Sequence, residues 1–209
     1  MSGKLRFKFG CMGSAKTAQL LTTAYNFDEK NIPCYVFKPM ADTRDGLDVI
    51  KSRIGLSREC FSIPKHFSFI TWWESMEKFD YTPPQKDTWI LVDEAQFLTD
   101  AQVKELGYLA DNYNLEIICY GLRTDYKGEL FEGSKVLMCL ADSIEHIKSR
   151  CECGRTTVIN ARFDGDNIVT DGEQVVIGGN ESYKPLCRKC YEREVYNKKD
   201  QKFLDETSS

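Results

Sequence analysis

The run Leu5-Arg6-Phe7-Lys8-Phe9 leads into Gly10-Cys11-Met12-Gly13-Ser14-Ala15-Lys16-Thr17, and the stretch Ala18–Tyr25 that follows carries an apolar stripe at helical spacing. A strand that turns tightly through glycines into a helix is the opening of a βαβ unit. Such a unit commits the chain to a parallel sheet with covered faces. The octapeptide follows the phosphate-loop pattern G-x-x-x-x-G-K-[ST] except that Ala15 stands at the second glycine. Phosphate binding needs inward-facing backbone N–H groups over a helix N-terminus and a cation within reach of the outer phosphates. Gly10 permits the turn, Gly13 and Ser14 keep the loop slim, Lys16 brings the cation, and Thr17 offers a hydroxyl to Mg²⁺. The competing reading is an ordinary glycine-rich βα turn. Ala15 is expected to hold helical dihedrals, with Gly13 supplying the permissive turn beside it.

The chain has 209 residues, room for one full domain or a domain with a small module. Its 42% apolar content supports a packed core, and a net charge of −4 without a basic run argues against a dedicated nucleic-acid binder. There is no apolar run of signal-peptide or membrane-spanning character. A cytoplasmic location is therefore expected, and nine cysteines then point to metal binding or burial rather than a disulfide framework.

Short apolar runs alternate with helix-like segments through about the first 145 residues. The expected strands are Leu5–Phe9, Cys34–Lys38, Phe67–Thr71, Trp89–Val92, Glu116–Tyr120 and Lys135–Cys139. Helical periodicity covers Ala18–Lys30, Trp72–Phe79 and Asp100–Asn112, the last capped by Thr99 or Asp100. This alternation implies a parallel sheet whose ligands bind at the carboxyl ends of the strands. From Cys151 the composition changes to paired cysteines, Gly-rich turns and β-like runs at Thr156–Ile159, Asn167–Thr170 and Gln174–Ile177. The expected layout is a nucleotide-binding domain over 1–149, a cysteine-bearing substrate domain over 150–196, and a polar, disordered tail over 197–209.

Two further constellations carry chemistry. Trp89-Ile90-Leu91-Val92 is a buried strand that runs into Asp93-Glu94-Ala95-Gln96-Phe97. A carboxylate at that strand end is where a phosphate-loop enzyme holds Mg²⁺, and Glu94 can take a proton from an attacking hydroxyl. Cys151-x-Cys153-Gly154 and Cys187-x-x-Cys190 form two knuckles suited to one closed, tetrahedral Zn²⁺ site. Cys11, Cys34, Cys60, Cys119 and Cys139 read mostly as buried small residues. His66 and His146 lack ligand spacing.

In this order the motifs resemble the type 2 thymidine kinases, from Lys4 to about Tyr191. The phosphate loop is followed by Lys38-Pro39 with Asp42-Thr43-Arg44, then Asp93–Phe97, then Tyr120-Gly121-Leu122-Arg123-Thr124-Asp125-Tyr126-Lys127-Gly128-Glu129-Leu130-Phe131. The paired cysteines and Val176-Ile177-Gly178-Gly179-Asn180-Glu181-Ser182-Tyr183 complete the set. The resemblance implies an α/β, phosphate-loop (RecA-like) parallel sheet flanked by helices plus a small zinc-bearing β/lasso domain. It implies transfer of the ATP γ-phosphoryl group to the 5′-hydroxyl of thymidine, and acceptance of deoxyuridine. Glu94 would be the general base. Gly10, Cys11, Met12, Gly13, Ser14, Ala15, Lys16, Thr17, Arg44, Asp93 and Gln96 would serve ATP, with Thr17 and Asp93 on the Mg²⁺ side. Met12, Phe97, Leu122, Tyr126, Phe131, Asn160, Val176, Ile177, Gly178 and Tyr183 would serve thymidine. Cys151, Cys153, Cys187 and Cys190 would hold structural zinc. A homotetramer is implied, with neither nucleic acid nor membrane as partner. Three departures stand out: Tyr126 where many members have Phe, Asn160 where some have Thr, and, most consequential, Ala15 at the second glycine of the phosphate loop.

The rival readings are a helicase-like or other P-loop ATPase and a zinc-ribbon nucleic-acid binder. The first needs two sheet domains where this chain has room for one. The second conflicts with the acidic balance and with the pairing of Lys16-Thr17 with Asp93-Glu94.

Overall fold

A computed structural model describes residues 3–42, 46–78, 88–174 and 182–207. Arg44, Val176, Ile177 and Gly178, and most of the strand expected over Gln174–Ile177, lie outside the described residues. The chain divides into two compact units, one of Met1–Phe9, Ala15–Arg123 and Phe131–Ile147, the other of Gly10–Ser14, Thr124–Leu130 and Lys148–Ser209.

In the first unit the order is β1 (Lys4–Phe9), α1 (Lys16–Asp28), β2 (Cys34–Pro39), β3 (Val49–Lys51), β4 (Ser57–Glu59), β5 (Phe61–Ile63), α2 (Phe69–Lys78), β6 (Trp89–Val92), a 3₁₀ turn (Ala95–Phe97), α3 (Asp100–Tyr113), β7 (Glu116–Gly121), α4 (Glu132–Leu140) and β8 (Ser143–His146). Six of these strands form one all-parallel sheet in the order β5-β2-β6-β7-β1-β8. Alternate residues feed opposite faces, as the pleat requires. Phe7, Ile90, Val92, Ile117 and Cys119 pack with α2, α3 and α4 residues such as Phe69, Leu106 and Leu137. Leu91, Ile118, Tyr120 and Val36 pack with Leu20, Leu21 and Ala24 of α1. Helices on both faces explain the continuous apolar runs of the central strands. Thr99 caps α3 through a reciprocal bond pair with Gln102.

Two expected strands are helices. Phe67–Thr71 falls largely within α2 and Lys135–Cys139 within α4. Short apolar runs do not distinguish a strand from a buried helix segment, and tertiary partners decide here. Glu105 on α3 accepts from the Phe69 N–H at 2.6 Å and the Ser68 hydroxyl at 3.0 Å, capping α2 from outside its own sequence. Phe69 and Trp73, one turn apart, are then buried together. In α4, Gly133 lies so close to the 3₁₀ turn that a Cβ would stand 2.5 Å from the Ala95 carbonyl. The outer strand positions belong instead to β5 and β8.

The second unit holds a three-stranded antiparallel sheet, β10-β9-β11, from β9 (Ile159–Asp164), β10 (Asn167–Val169) and β11 (Tyr183–Leu186). The final helix, α5 (Arg188–Thr207), continues through the stretch expected to be a disordered tail. The core of this unit is small: Ile159, Ala161, Ile168 and Leu186 beside Cys151, Cys187 and Cys190.

Ala15 departs from expectation. It is the N-cap of α1 with φ 64° and ψ 25°, in the left-handed region, and its side chain makes no capping bond. Gly13 has φ 75°, so the loop uses two positive-φ residues and only one is a glycine. The reason is geometric: α1 begins at Lys16, leaving Ala15 as the hinge that turns the loop into the helix axis. A Cβ in this conformation costs about 1–2 kcal/mol. Ala15→Gly is therefore expected to raise unfolding free energy by about 0.5–1 kcal/mol, after allowing for the extra freedom of glycine in the unfolded chain. Urea denaturation checks it, and a loss of stability would contradict the left-handed assignment.

Candidate active site

Strand β6 is buried and delivers Asp93 at the carboxyl end of a central strand, where its N–H donates to the Phe37 carbonyl at 2.9 Å. Thr17 Oγ1, in the first turn of α1, donates to Asp93 Oδ2 at 3.0 Å. Asp93 is 4% exposed, and its Oδ1 is buried without a hydrogen-bond partner among the described residues. Burial, then the neighbouring Glu94 charge, push its pKa up to about 7, against the Thr17 hydrogen bond and the Lys16 charge. An orphaned carboxylate oxygen beside a threonine hydroxyl is a donor set that suits a hard divalent cation. Lys16 is itself buried.

Glu94 follows in the left-handed region at φ 48° and ψ 38°. Among the described residues five non-glycines have positive φ. Asn31, Asp48 and Asn114 are of the types that tolerate it, which leaves Ala15 and Glu94 as the costly ones. Strain of this kind persists where the surroundings enforce it and concentrates at functional sites. Glu94 opens the 3₁₀ turn, and its carboxylate accepts a hydrogen bond from Gln96 Nε2. At the far end of that turn the Phe97 ring meets Phe131 edge-on, centroids 5.8 Å apart. Gln96, expected near ATP, spends its side chain on Glu94 and on the Leu122 N–H.

In the second unit the Met12 N–H donates to Asn160 Oδ1 at 2.8 Å, which leaves the Asn160 NH₂ end as a donor. Tyr126 is buried beneath the Arg162 guanidinium, 5.6 Å from the ring centroid, and its hydroxyl has no hydrogen-bond partner among the described residues. Asp125 Oδ1 accepts from the N–H groups of Lys127 and Glu129 and so shapes the turn that carries Tyr126. Tyr183 lies on β11 opposite Arg162.

Sequence reasoning missed two residues near these groups. Asp125 was quoted only as part of a motif, although an Asp three residues before a glycine is a turn signal. Lys38 is 1% exposed, and its ammonium donates to the carbonyls of Gly46 and Val49 at 2.6 and 2.8 Å. The sequence marks it only as part of Lys38-Pro39, since a lysine at a strand end otherwise reads as solvated. Cys139, grouped with the buried cysteines, is exposed.

The four paired cysteines converge, with all Sγ atoms within 4.8 Å of one another. Thiolates around one Zn²⁺ lie roughly 3.8 Å apart at the usual Zn–S length, so the cluster could hold such an ion with little adjustment. The knuckle at Cys151 is closed by Gly154, φ 82°, whose N–H donates to the Cys151 carbonyl at 2.8 Å. The Cys190 backbone amide donates toward Cys187 and draws that thiol down to about 7, which favours the ligand form.

Two outcomes follow. An acid whose folded pKa is raised from 3.8 to about 7 contributes stability that is complete below 3.8 and lost as pH rises through about 7. In chelator-treated, nucleotide-free protein, Asp93→Asn should therefore melt several degrees above the parent at pH 8, and the gain should shrink steadily as pH falls below 7 and vanish only near 3.8. Thermal melts across that range check it, and a constant offset would reject the titration of Asp93 as the cause. Cys187→Ser should lower metal content and melting temperature together, because the small core of the second unit depends on the cluster. Unchanged values of both would remove the metal assignment.

The thymidine kinase family profile matches residues 3–191. Thymidine kinase of Streptococcus pyogenes serotype M3 is 37% identical over 90% of this chain and 96% of its own. That of Streptococcus gordonii is 39% identical over 90% and 95%. That of Legionella pneumophila is 39% identical over 91% and 90%. Profile and relatives alike cover about nine-tenths of the chain, and the chain belongs to the thymidine kinase family.

Proposed function

We propose that this chain transfers the γ-phosphoryl group of ATP to the 5′-hydroxyl of thymidine in nucleotide salvage. The observation that carries the reading is the adjacency of Asp93 and Glu94, one bonded to Thr17 of α1 and the other turned into a left-handed strand-end position. In-line phosphoryl transfer needs little covalent help and much positioning. Lys16 and the N–H groups of Gly10, Cys11, Met12, Gly13, Ser14 and Ala15 would cradle the phosphates. Arg44 would add charge near them, on the strength of its motif alone. Thr17 and Asp93 would hold Mg²⁺, which would supply positive charge to the phosphates.

Glu94 would accept the 5′-hydroxyl proton as the O5′–phosphorus bond forms. The bond to the ADP oxygen breaks, and its electron pair leaves with ADP. Motif position assigns thymidine recognition to Met12, Phe97, Leu122, Tyr126, Phe131, Asn160, Val176, Ile177, Gly178 and Tyr183. The Asn160 NH₂ end, a donor, suits a keto oxygen such as thymine or uracil presents and not an exocyclic amine. The cysteine cluster would carry structural Zn²⁺ and take no part in the chemistry. Among the described residues no helix is long and apolar enough to cross a membrane. A homotetramer acting in the cytoplasm belongs to the same reading.

Glu94→Gln keeps shape and removes the base. Its kcat is expected to fall by roughly 10²–10⁴, with ATP affinity retained. Steady-state assays with thymidine, deoxyuridine and deoxycytidine check both points, the first two being accepted and the third not. A near-parental kcat would remove Glu94 from the role, and indifference to every nucleoside would overturn the reading.

A further inference from the structure

We propose that Gln96 is a positioning residue for Glu94, a strut that fixes the direction of the carboxylate. The inference rests on the reading of Glu94 as the proton acceptor. Gln96 is 2% exposed and lies two residues beyond Glu94 in the 3₁₀ turn. Its carboxamide makes two hydrogen bonds: Nε2 donates to Glu94 Oε2, and Oε1 accepts from the Leu122 N–H at 2.9 Å. A backbone N–H can only donate, so Leu122 dictates which end of the amide is oxygen. The NH₂ end is thereby aimed at Glu94 with no freedom to flip.

The anchor is itself immobilised. The Leu122 carbonyl accepts from Ser134 Oγ at 2.6 Å, so the residue that sets the amide is tied from both its N–H and its C=O. Space is reserved for the strut as well. A Cβ on Gly121 would meet Gln96 Oε1 at 2.7 Å and the Gln96 nitrogen at 3.1 Å. The left-handed backbone of Glu94 supplies the demand. Its side chain does not cap the backbone of the turn; instead the Gln96 amide meets one oxygen of the carboxylate. The other oxygen is then directed by the geometry of the first. With this side chain committed to Glu94 and Leu122, ATP contact is not its task.

The test is a comparison of Gln96→Met, Gln96→Glu and Glu94→Gln with the double variant Glu94→Gln/Gln96→Met, each checked by thermal melting. Gln96→Met keeps length and loses both bonds. Gln96→Glu keeps an acceptor for Leu122 and replaces the donor facing Glu94 with an oxygen, so one variant remains informative if the other folds poorly. Both are expected to lose roughly 10–100-fold in kcat, the scale of misplacing a reacting group by about 1 Å, while KM for ATP stays within about threefold of the parent. In the Glu94→Gln background, Gln96→Met should add little, because residues acting as one unit are not additive. A Gln96→Met effect of equal size in both backgrounds would overturn the proposal, as would a raised KM for ATP with kcat intact. Normal kcat for Gln96→Met beside a slow Glu94→Gln rejects the strut alone. Normal kcat for Glu94→Gln rejects the base assignment, and the strut with it.

Discussion

The hydrogen bond from Thr17 to Asp93 joins the first turn of α1 to the end of β6 across 76 residues of sequence. It can form only if β1 and β6 lie in one parallel sheet with β7 between them, both ending at the same edge. The sheet order is therefore the condition for the site. Every strand pair in this sheet is parallel. Each strand must then return by a crossover, and the crossovers cover both faces with helices. The cost of the arrangement falls on Asp93, a carboxylate held in a buried place with one oxygen unbonded. In the ligand-free protein that oxygen works against folding; toward a cation it is ready-made affinity. The two statements describe one interaction seen with and without its ligand.

Backbone strain follows the same logic. Ala15 and Glu94 both hold left-handed conformations that alanine and glutamate avoid, and both flank the Thr17–Asp93 link. Neither is stabilised by a capping bond from its own side chain. What enforces them is the packing around them: α1 must start at Lys16 to bring Thr17 to Asp93, and the turn after Glu94 is pressed by Gly121 and Gly133. Those two glycines serve space and not backbone freedom, since neither has positive φ. A site that needs reacting groups held to fractions of an ångström gains from strain that cannot relax without breaking the core.

Much of this was legible in the sequence for a physical reason. The central strands at Trp89–Val92 and Glu116–Tyr120 are buried on two sides, and that burial writes a nearly unbroken apolar run, while Leu5–Phe9 shows the period-two alternation of a half-buried strand. The cysteine knuckles are legible because metal geometry dictates short spacing. What failed were segments whose state depends on a partner far away in sequence. Phe67–Thr71 has β-type residues and becomes part of a helix because Glu105 caps it. Lys135–Cys139 has no local reason to be a helix beyond the seat at Gly133. Ala15 reads as a good helix former, and nothing in its own neighbours says that the helix begins one residue later. The Gln96–Leu122 bond, 26 residues apart, has no sequence signature at all.

The small second unit shows where such reasoning has to change its currency. Among the described residues its apolar core is a handful of side chains, and three of the seven buried members are cysteines of the cluster. Too little apolar surface is buried there for packing alone to fix a loop-rich segment. Four sulfur atoms gathered at one point could hold a metal ion, whose coordination would be directional and strong enough to close the turns at Cys151–Gly154 and at the start of α5. The cluster is thus the second unit's counterpart to the parallel sheet of the first. Each supplies the rigidity that its own residues, Asn160 and Tyr126 in one and Asp93 and Glu94 in the other, require to keep their polar atoms aimed.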